Sequence, residues 1–270
     1  MRFILVNFGL VDKLLVFREL DVKWIWGTHA ILTRHYNTRA NKMPQTKDLI
    51  LAIQDLRRDY LFGSLCLKDL PDNPWQLFES WFTQLQQAEL PSWFELNAMT
   101  LATAKGESKN HSGASSRIVL LKHMDREGLT FFTNYDSEKG TQISCQPMVA
   151  LHFFWPIFDR QVRVEGRAVK TSAEVSDAYF AARPRSSQLG AIASPQSQPI
   201  DDDSELEKAA RELELQYEGK PIPRPENWGG YRVEPEMFEF WQGKPSRLHD
   251  RFRYRKKEPS GLWNVMRLAP

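Results

Sequence analysis

The sequence predicts a mostly β fold, an antiparallel barrel decorated with helices, and three observations carry that expectation. After residue 96 the apolar pattern leaves helical spacing for short runs rich in β-branched and aromatic residues, separated by turn residues. The links between these runs are mostly hairpin-like, with few crossovers long enough to join parallel strands. Neither a GxGxxG after a strand nor a GxxxxGK followed by Ser or Thr occurs, so a doubly wound sheet with a dinucleotide site or a P-loop has no support.

The first 42 residues stand apart. Residues 1–20 are apolar but interrupted by Asp12, Lys13, Arg18 and Glu19. They lack the unbroken run of about 18 apolar residues that a membrane span needs. They also lack the short apolar core and small-residue end of a signal peptide. Residues 27–42 form a loose basic tail, and Met43 precedes the first patterned helix. The expectation is one domain over residues 43–270. Residues 1–42 are then either a disordered extension or translation from upstream of a start at Met43, and their acids argue against a transit peptide.

Along the domain, Leu49, Ile53, Leu56 and Tyr60 repeat at helical spacing between Lys47 and Leu61. A second helix opens at "DNPWQLFESWF", with Asn73 as N-cap, Pro74 at the first helical position, and Trp75, Phe78 and Phe82 on one face for burial. Strands are expected over residues 97–104, 116–122, 129–134, 148–155, 160–170, 229–235, 237–243, 250–256 and 261–268. "DREG" (125–128) is a tight hairpin turn. In "RQVRVEG" Val162 and Val164 share one face, with Gln161, Arg163 and Glu165 on the other. Helices interrupt the series from about Ser137, from Ser172 to Arg183, after Pro184, and from Ser204 to Glu218 with Gly219 as the stop.

Composition narrows the function. With 41% hydrophobic and 26% charged residues the chain can bury a core, and a net charge of +2 argues against a dedicated nucleic-acid binder. Nine tryptophans and sixteen phenylalanines suit a β-rich core or a pocket for a planar ligand. Cys66 and Cys145 share no motif spacing, which fits reduced thiols in a cytoplasmic protein and offers no metal site.

Four polar clusters could carry chemistry. Arg117 and Lys122 bracket an apolar strand, where cations often do no more than snorkel from its ends. In "FFTNYDSEKGTQ" a strand ends at Thr133 and Asn134 and a helix opens with Lys139 in its first turn, a geometry able to hold a phosphate. In "YFAARPRSSQLGA" Tyr179 and Arg183 share a helix face, and Arg185, Ser186 and Ser187 start the next helix, a second candidate phosphate site with a solvated helix end as the plainer reading. In "WQGKPSRLHDRF" (241–252) an extended chain from Arg247 would put Arg247, His249 and Arg251 on one face and Leu248 and Asp250 on the other. Two phosphate-bearing ligands, with no nucleophile or acid pair in view, point to a cofactor performing the difficult step.

These segments, with "RIVLLK", "RQVRVEG", "WGGYRV", "EFWQG", "RLHDRF" and the terminal "RLAP", resemble the pyridoxamine 5′-phosphate oxidase family, in order from about Leu49 to Pro270. The resemblance implies an FMN-binding split β-barrel, a homodimer with both sites shared between subunits, and no role for nucleic acid or membrane. It implies oxidation of pyridoxamine or pyridoxine 5′-phosphate to pyridoxal 5′-phosphate. A hydride passes from C4′ to flavin N5, O2 reoxidises the flavin to give H2O2, and ammonia follows from the amine. Carried onto this chain, FMN contacts fall on Arg117, Ile118, Val119, Leu120, Leu121, Lys122, Phe132, Thr133, Lys139, Gln161, Gln196, Ser197, Trp241 and Arg251. Substrate contacts fall on Lys122, Tyr179, Arg183, Ser187, Arg247, Leu248 and His249, with Arg247 and His249 at the reacting end. Arg57, Arg58, Asp59 and Tyr60 match a segment that can close over the substrate.

One position departs from the family pattern. Glu138 stands where a cation is usual beside the flavin phosphate, the wrong sign for a dianion. Either it turns outward, leaving backbone N–H groups, or FMN is held more weakly. The segment "KGESKNHSG" before Arg117 is longer than usual, as a surface loop tolerates. Other readings are a split-barrel flavin enzyme with a different reaction, or a non-enzymatic carrier of flavin or pyridoxal phosphate. The substrate-side set separates them, because a carrier need not keep it.

Overall fold

A computed structural model describes residues 58–105, 113–258 and 260–270. The expected helix over Lys47–Leu61 lies largely outside these residues, as do Arg57 and most of the long loop before Arg117. Arg58–Leu61, which are described, are not helical.

Helix α1 (Pro74–Gln86) starts as its sequence dictates: the Asn73 side chain accepts the Trp75 N–H and Pro74 occupies the first turn. Its apolar face buries Trp75, Phe78, Trp81 and Leu85 against the sheet, with Phe82 partly covered. Each such side chain contributes roughly 1.5–3 kcal/mol by leaving water.

The strands are β1 (Ala98–Lys105), β2 (Gly113–Leu120), β3 (His123–Met124), β4 (Leu129–Asn134), β5 (Met148–Trp155), β6 (Arg160–Lys170), β7 (Trp228–Gln242), β8 (Asp250–Lys256) and β9 (Trp263–Leu268). They form one antiparallel sheet in the order β2-β1-β5-β6-β7-β4-β3, with β8 added to β7 and β9 to β8. The ends of this path meet. Only Leu121 and Lys122 separate β2 from β3, and the Lys122 N–H bonds to Thr130 O of β4. The sheet therefore curls into a split barrel whose interior holds Leu101, Phe131, Leu151, Phe153, Val162, Val164, Phe238 and Phe240.

The two strands expected over 229–235 and 237–243 are one. Strand β7 runs through Pro235, which sits opposite Gly166 where the register shifts. A bulge there spares the ladder the N–H that proline lacks. Gly166 must be glycine, because a Cβ would lie 2.1 Å from Glu234 O. Along its length β7 keeps β6 on one side and exchanges β4 for β8 on the other.

Helix α2 (Glu138–Cys145) is capped by Ser137, and α3 (Ala173–Ala182) by Ser172. Helices α4 (Arg185–Ala193) and α5 (Asp203–Gln216) follow, and Gly219 takes φ +67° just beyond. A small second core of Phe180, Leu189, Ile222 and Trp228 joins this layer to the start of β7. Among the described residues no helix is long and apolar enough to cross a membrane.

Candidate active site

Two clefts carry most of the residues singled out from the sequence. The first, about 620 Å³, lies between β2, the end of β4, α2 and the α3–α4 corner. Its lining includes Arg117, Ile118, Val119, Leu120, Lys122, Phe132, Thr133, Lys139, Gln196 and Ser197, and also Tyr179 and Arg183. Leu121 is buried in the core instead, and its backbone bonds to Asn97. Ser187 lines a neighbouring hollow that shares Arg183, Gln196 and Trp228 with this cleft.

Four cations line the first cleft, Arg117, Lys122, Lys139 and Arg183, and none forms an ion pair among the described residues. Lys139 donates to neutral oxygens only, those of Ser137 (3.1 Å), Thr133 (3.3 Å) and Gln196 (3.0 Å). Arg117 donates to Thr103 Oγ1 (2.6 Å), Ser115 Oγ (2.9 Å) and Gln142 Oε1 (3.0 Å). Burial lowers the pKa of both, with Glu138 working in the opposite sense. The charge of an anion entering here would offset that desolvation penalty.

At the α3–α4 corner Phe132, Tyr179 and Trp228 lie nearly parallel, Phe132 and Tyr179 with centroids 3.8 Å apart. The Arg183 guanidinium lies 4.7 Å from the Trp228 ring centroid, a cation–π contact. Its Nη1 is buried without a hydrogen-bond partner. Burial lowers the Arg183 pKa, and the neighbouring Tyr179 opposes the shift. A buried donor left open costs about 1–3 kcal/mol, which an anionic ligand would recover.

The second cleft, about 280 Å³, is lined by His152, Gln161, Arg163, Glu239, Trp241, Arg251 and Pro270. Cross-strand pairing builds it: Gln161 opposes Trp241, which opposes Arg251, while Arg163 opposes Glu239, which opposes Arg253. The carboxylate of Glu239, only 7% exposed, takes Arg163 (2.9 Å), Arg251 (2.6 Å) and Arg253 (3.0 Å). Burial pushes the Glu239 pKa up, but the hydrogen bonds from Arg251 and Arg253 outweigh it and the net shift is downward. The His152 ring and the Gln161 amide are 3.0 Å apart.

The alternation expected of Arg247, His249 and Arg251 does not hold. Pro245–Arg247 form a single tight turn with Ser246 and Arg247 at positive φ, and the strand starts only at Asp250. Arg247 and Leu248 are exposed and line neither cleft. His249 packs on Trp241 with ring centroids 4.6 Å apart, and Tyr60 meets both rings edge-on. The His249 Nδ1 accepts the Lys244 N–H (3.1 Å), so the neutral ring carries its proton on Nε2. Burial and then Arg247 lower its pKa against the pull of Asp250. Asp250 is structural: buried, it pairs with Lys244 and Arg267 and accepts the Leu65 N–H. Asp159 likewise pins the leading segment through Arg58 and the Leu61 N–H, while Asp59 stays exposed.

Sequence reasoning left out Trp228, Glu239, His152 and the lining role of Glu138. The signal for Glu239 was present: an acid between Phe238 and Phe240 must face away from the core, beside Trp241.

Fold and clefts define a split-barrel protein with a cation-lined cleft against a curved antiparallel sheet. Residues 84–217 match the family described as pyridoxamine 5′-phosphate oxidase, and residues 228–270 match the pyridoxine 5′-phosphate oxidase C-terminal dimerisation region. A pyridoxine/pyridoxamine 5′-phosphate oxidase from Paraburkholderia phytofirmans is 50% identical over 219 residues, 81% of this chain and 99% of that protein. Its counterpart from Acaryochloris marina is also 50% identical, over 81% of this chain and 96% of its own. The structure of PhzG from Burkholderia lata, solved with tetrahydrophenazine-1-carboxylic acid, superposes with a TM-score of 0.69 at 29% identity, covering 77% of this chain and all of PhzG. The chain belongs to the pyridoxine/pyridoxamine 5′-phosphate oxidase family and is an oxidoreductase.

Proposed function

We propose that this protein is a cytoplasmic homodimer that uses FMN to oxidise pyridoxamine and pyridoxine 5′-phosphate to pyridoxal 5′-phosphate, with O2 as acceptor and H2O2 as product. One observation carries the reading: the first cleft holds two separate cationic groups, Arg117 with Lys139 and Arg183 beside Tyr179, and Arg183 keeps a buried donor without a partner. That set fits two phosphates at once. The second cleft fits a planar ring, offering Trp241, the Gln161 amide and guanidiniums held in place by Glu239.

FMN would supply the hydride acceptor. The chain's own residues bind and orient. Arg117, Lys139 and Thr133 would hold the cofactor phosphate, and Arg183, Tyr179, Ser187 and Lys122 the substrate phosphate. Anchoring the substrate remote from C4′ positions the reacting carbon without contacts to it. Arg247 and His249 would approach from the far side, with His249 Nε2–H as donor, and Tyr60 with Arg58 would cover them. Trp228 and Trp241 begin and all but end the 15-residue β7, so the two clefts sit toward opposite ends of one strand. A single ligand reaches both clefts only if a second copy brings its second cleft to the first cleft of its partner.

The test is direct. Purified protein should be yellow, release FMN on denaturation, and convert pyridoxine 5′-phosphate under air to pyridoxal 5′-phosphate with equimolar peroxide. A colourless protein that takes up no FMN, or a yellow one that produces no pyridoxal 5′-phosphate, would refute the reading. The likeness to PhzG supports one alternative, a split-barrel enzyme acting on a carboxylated ring system. Turnover of such a compound in preference to the phosphorylated substrate would favour it.

A further inference from the structure

Among the described residues Glu138 is the only carboxylate lining the first cleft, beside four cations. It does not turn away from the site. As the first residue of α2 its carboxylate suits the positive end of the helix, and its Oε1 accepts the Gln142 Nε2 at 2.8 Å. That bond fixes which way the buried Gln142 amide points. Gln142 Oε1 is thereby left to accept Arg117 Nη2 (3.0 Å) and Thr103 Oγ1 (2.5 Å). Glu138 thus does two opposing things: through Gln142 it holds the Arg117 guanidinium in place, and by its own charge it offsets the field that Arg117 and Lys139 present to an anion.

We propose that Glu138 sets the affinity of this cleft for the phosphate of its cofactor, a positioning residue for Arg117 and a fixed counter-charge that keeps FMN exchangeable. This rests on the FMN reading above. The two roles separate chemically. In Glu138→Gln the side chain still offers Oε1 to Gln142 while the charge is gone, and in Glu138→Leu both are lost.

The experiment titrates cofactor-stripped protein with FMN and, separately, with riboflavin, which lacks the phosphate, following flavin fluorescence at low and high salt. Glu138→Gln should bind FMN about tenfold more tightly at low salt, with the gain shrinking at high salt as screening sets in. Its riboflavin affinity should match the wild type. Glu138→Leu should gain less than Glu138→Gln, because Arg117 loses the partner that Gln142 provides. Unchanged or weaker FMN binding by Glu138→Gln, an equal change for riboflavin, or Glu138→Leu matching Glu138→Gln would each overturn the assignment. Wild-type protein that binds neither flavin would instead overturn the cofactor reading beneath it.

Discussion

The two clefts use arginine in opposite ways. In the first, four cations face the opening with no carboxylate bound to them, and one guanidinium nitrogen of Arg183 is buried and idle. In the second, three partly exposed arginines converge on one buried carboxylate, Glu239, and Arg163 also reaches Glu165, so carboxylates hold each guanidinium in place. Charge left open selects a charged ligand. Charge tied to carboxylates builds a rigid polar wall, suited to a planar ring. The difference teaches that counting cations near a cleft says little until their partners are counted too.

The largest expected effect comes from breaking the matched side. Glu239→Ala strands the Arg251 and Arg253 guanidiniums and leaves Arg163 only Glu165, and breaking a buried ion pair costs about 3–5 kcal/mol. Thermal denaturation should show Tm lower by roughly 6–15 °C. Because the folded Glu239 pKa lies below its ordinary 4.5, its stabilisation is present above that pH and lost as pH falls through the depressed value. Glu239→Gln should therefore flatten the acid limb of a stability–pH curve below pH 4.5, and an unchanged limb would show that the cluster is not the acid-sensitive element.

Next, Arg183→Ala on the open side should lower kcat/KM for pyridoxine 5′-phosphate by about 30- to 150-fold, the worth of a charge-assisted contact of roughly 2–3 kcal/mol. Tm should barely move, since Arg183 makes no ion pair. Equal losses in Tm and activity would erase the contrast between the clefts. Arg247→Ala, at the exposed turn, should reduce turnover by about tenfold while the protein stays yellow, and loss of flavin would reassign Arg247 to the cofactor. The smallest effect concerns pH. With its pKa depressed, His249 stays neutral until below the ordinary 6.5, so the acid limb of kcat attributable to it should lie under pH 6.5 and disappear in His249→Gln. Deleting residues 1–42 should leave kcat/KM unchanged.

Much of this was legible in the sequence because strand alternation and helix caps are local. Asn73 caps where expected, the helices expected from about Ser137 and from Ser172 begin there, and Val162 and Val164 point inward. The continuity of β7 was not legible, since Pro235 reads as a strand end until the bulge opposite Gly166 is seen. Nor was the turn at Ser246 and Arg247, whose positive φ values belong to residue types that rarely adopt them. The family resemblance implied a single set of flavin contacts. That set divides between two clefts because register across β6, β7 and β8, a long-range property, decides which side chains meet.

Strand β7 has one more consequence. If every complete site needs the front of one copy's strand and the back of another's, cofactor binding and subunit association share one equilibrium. Dilution should then strip the cofactor, and added FMN should restore the dimer by mass action. The protein would report its own concentration through its colour.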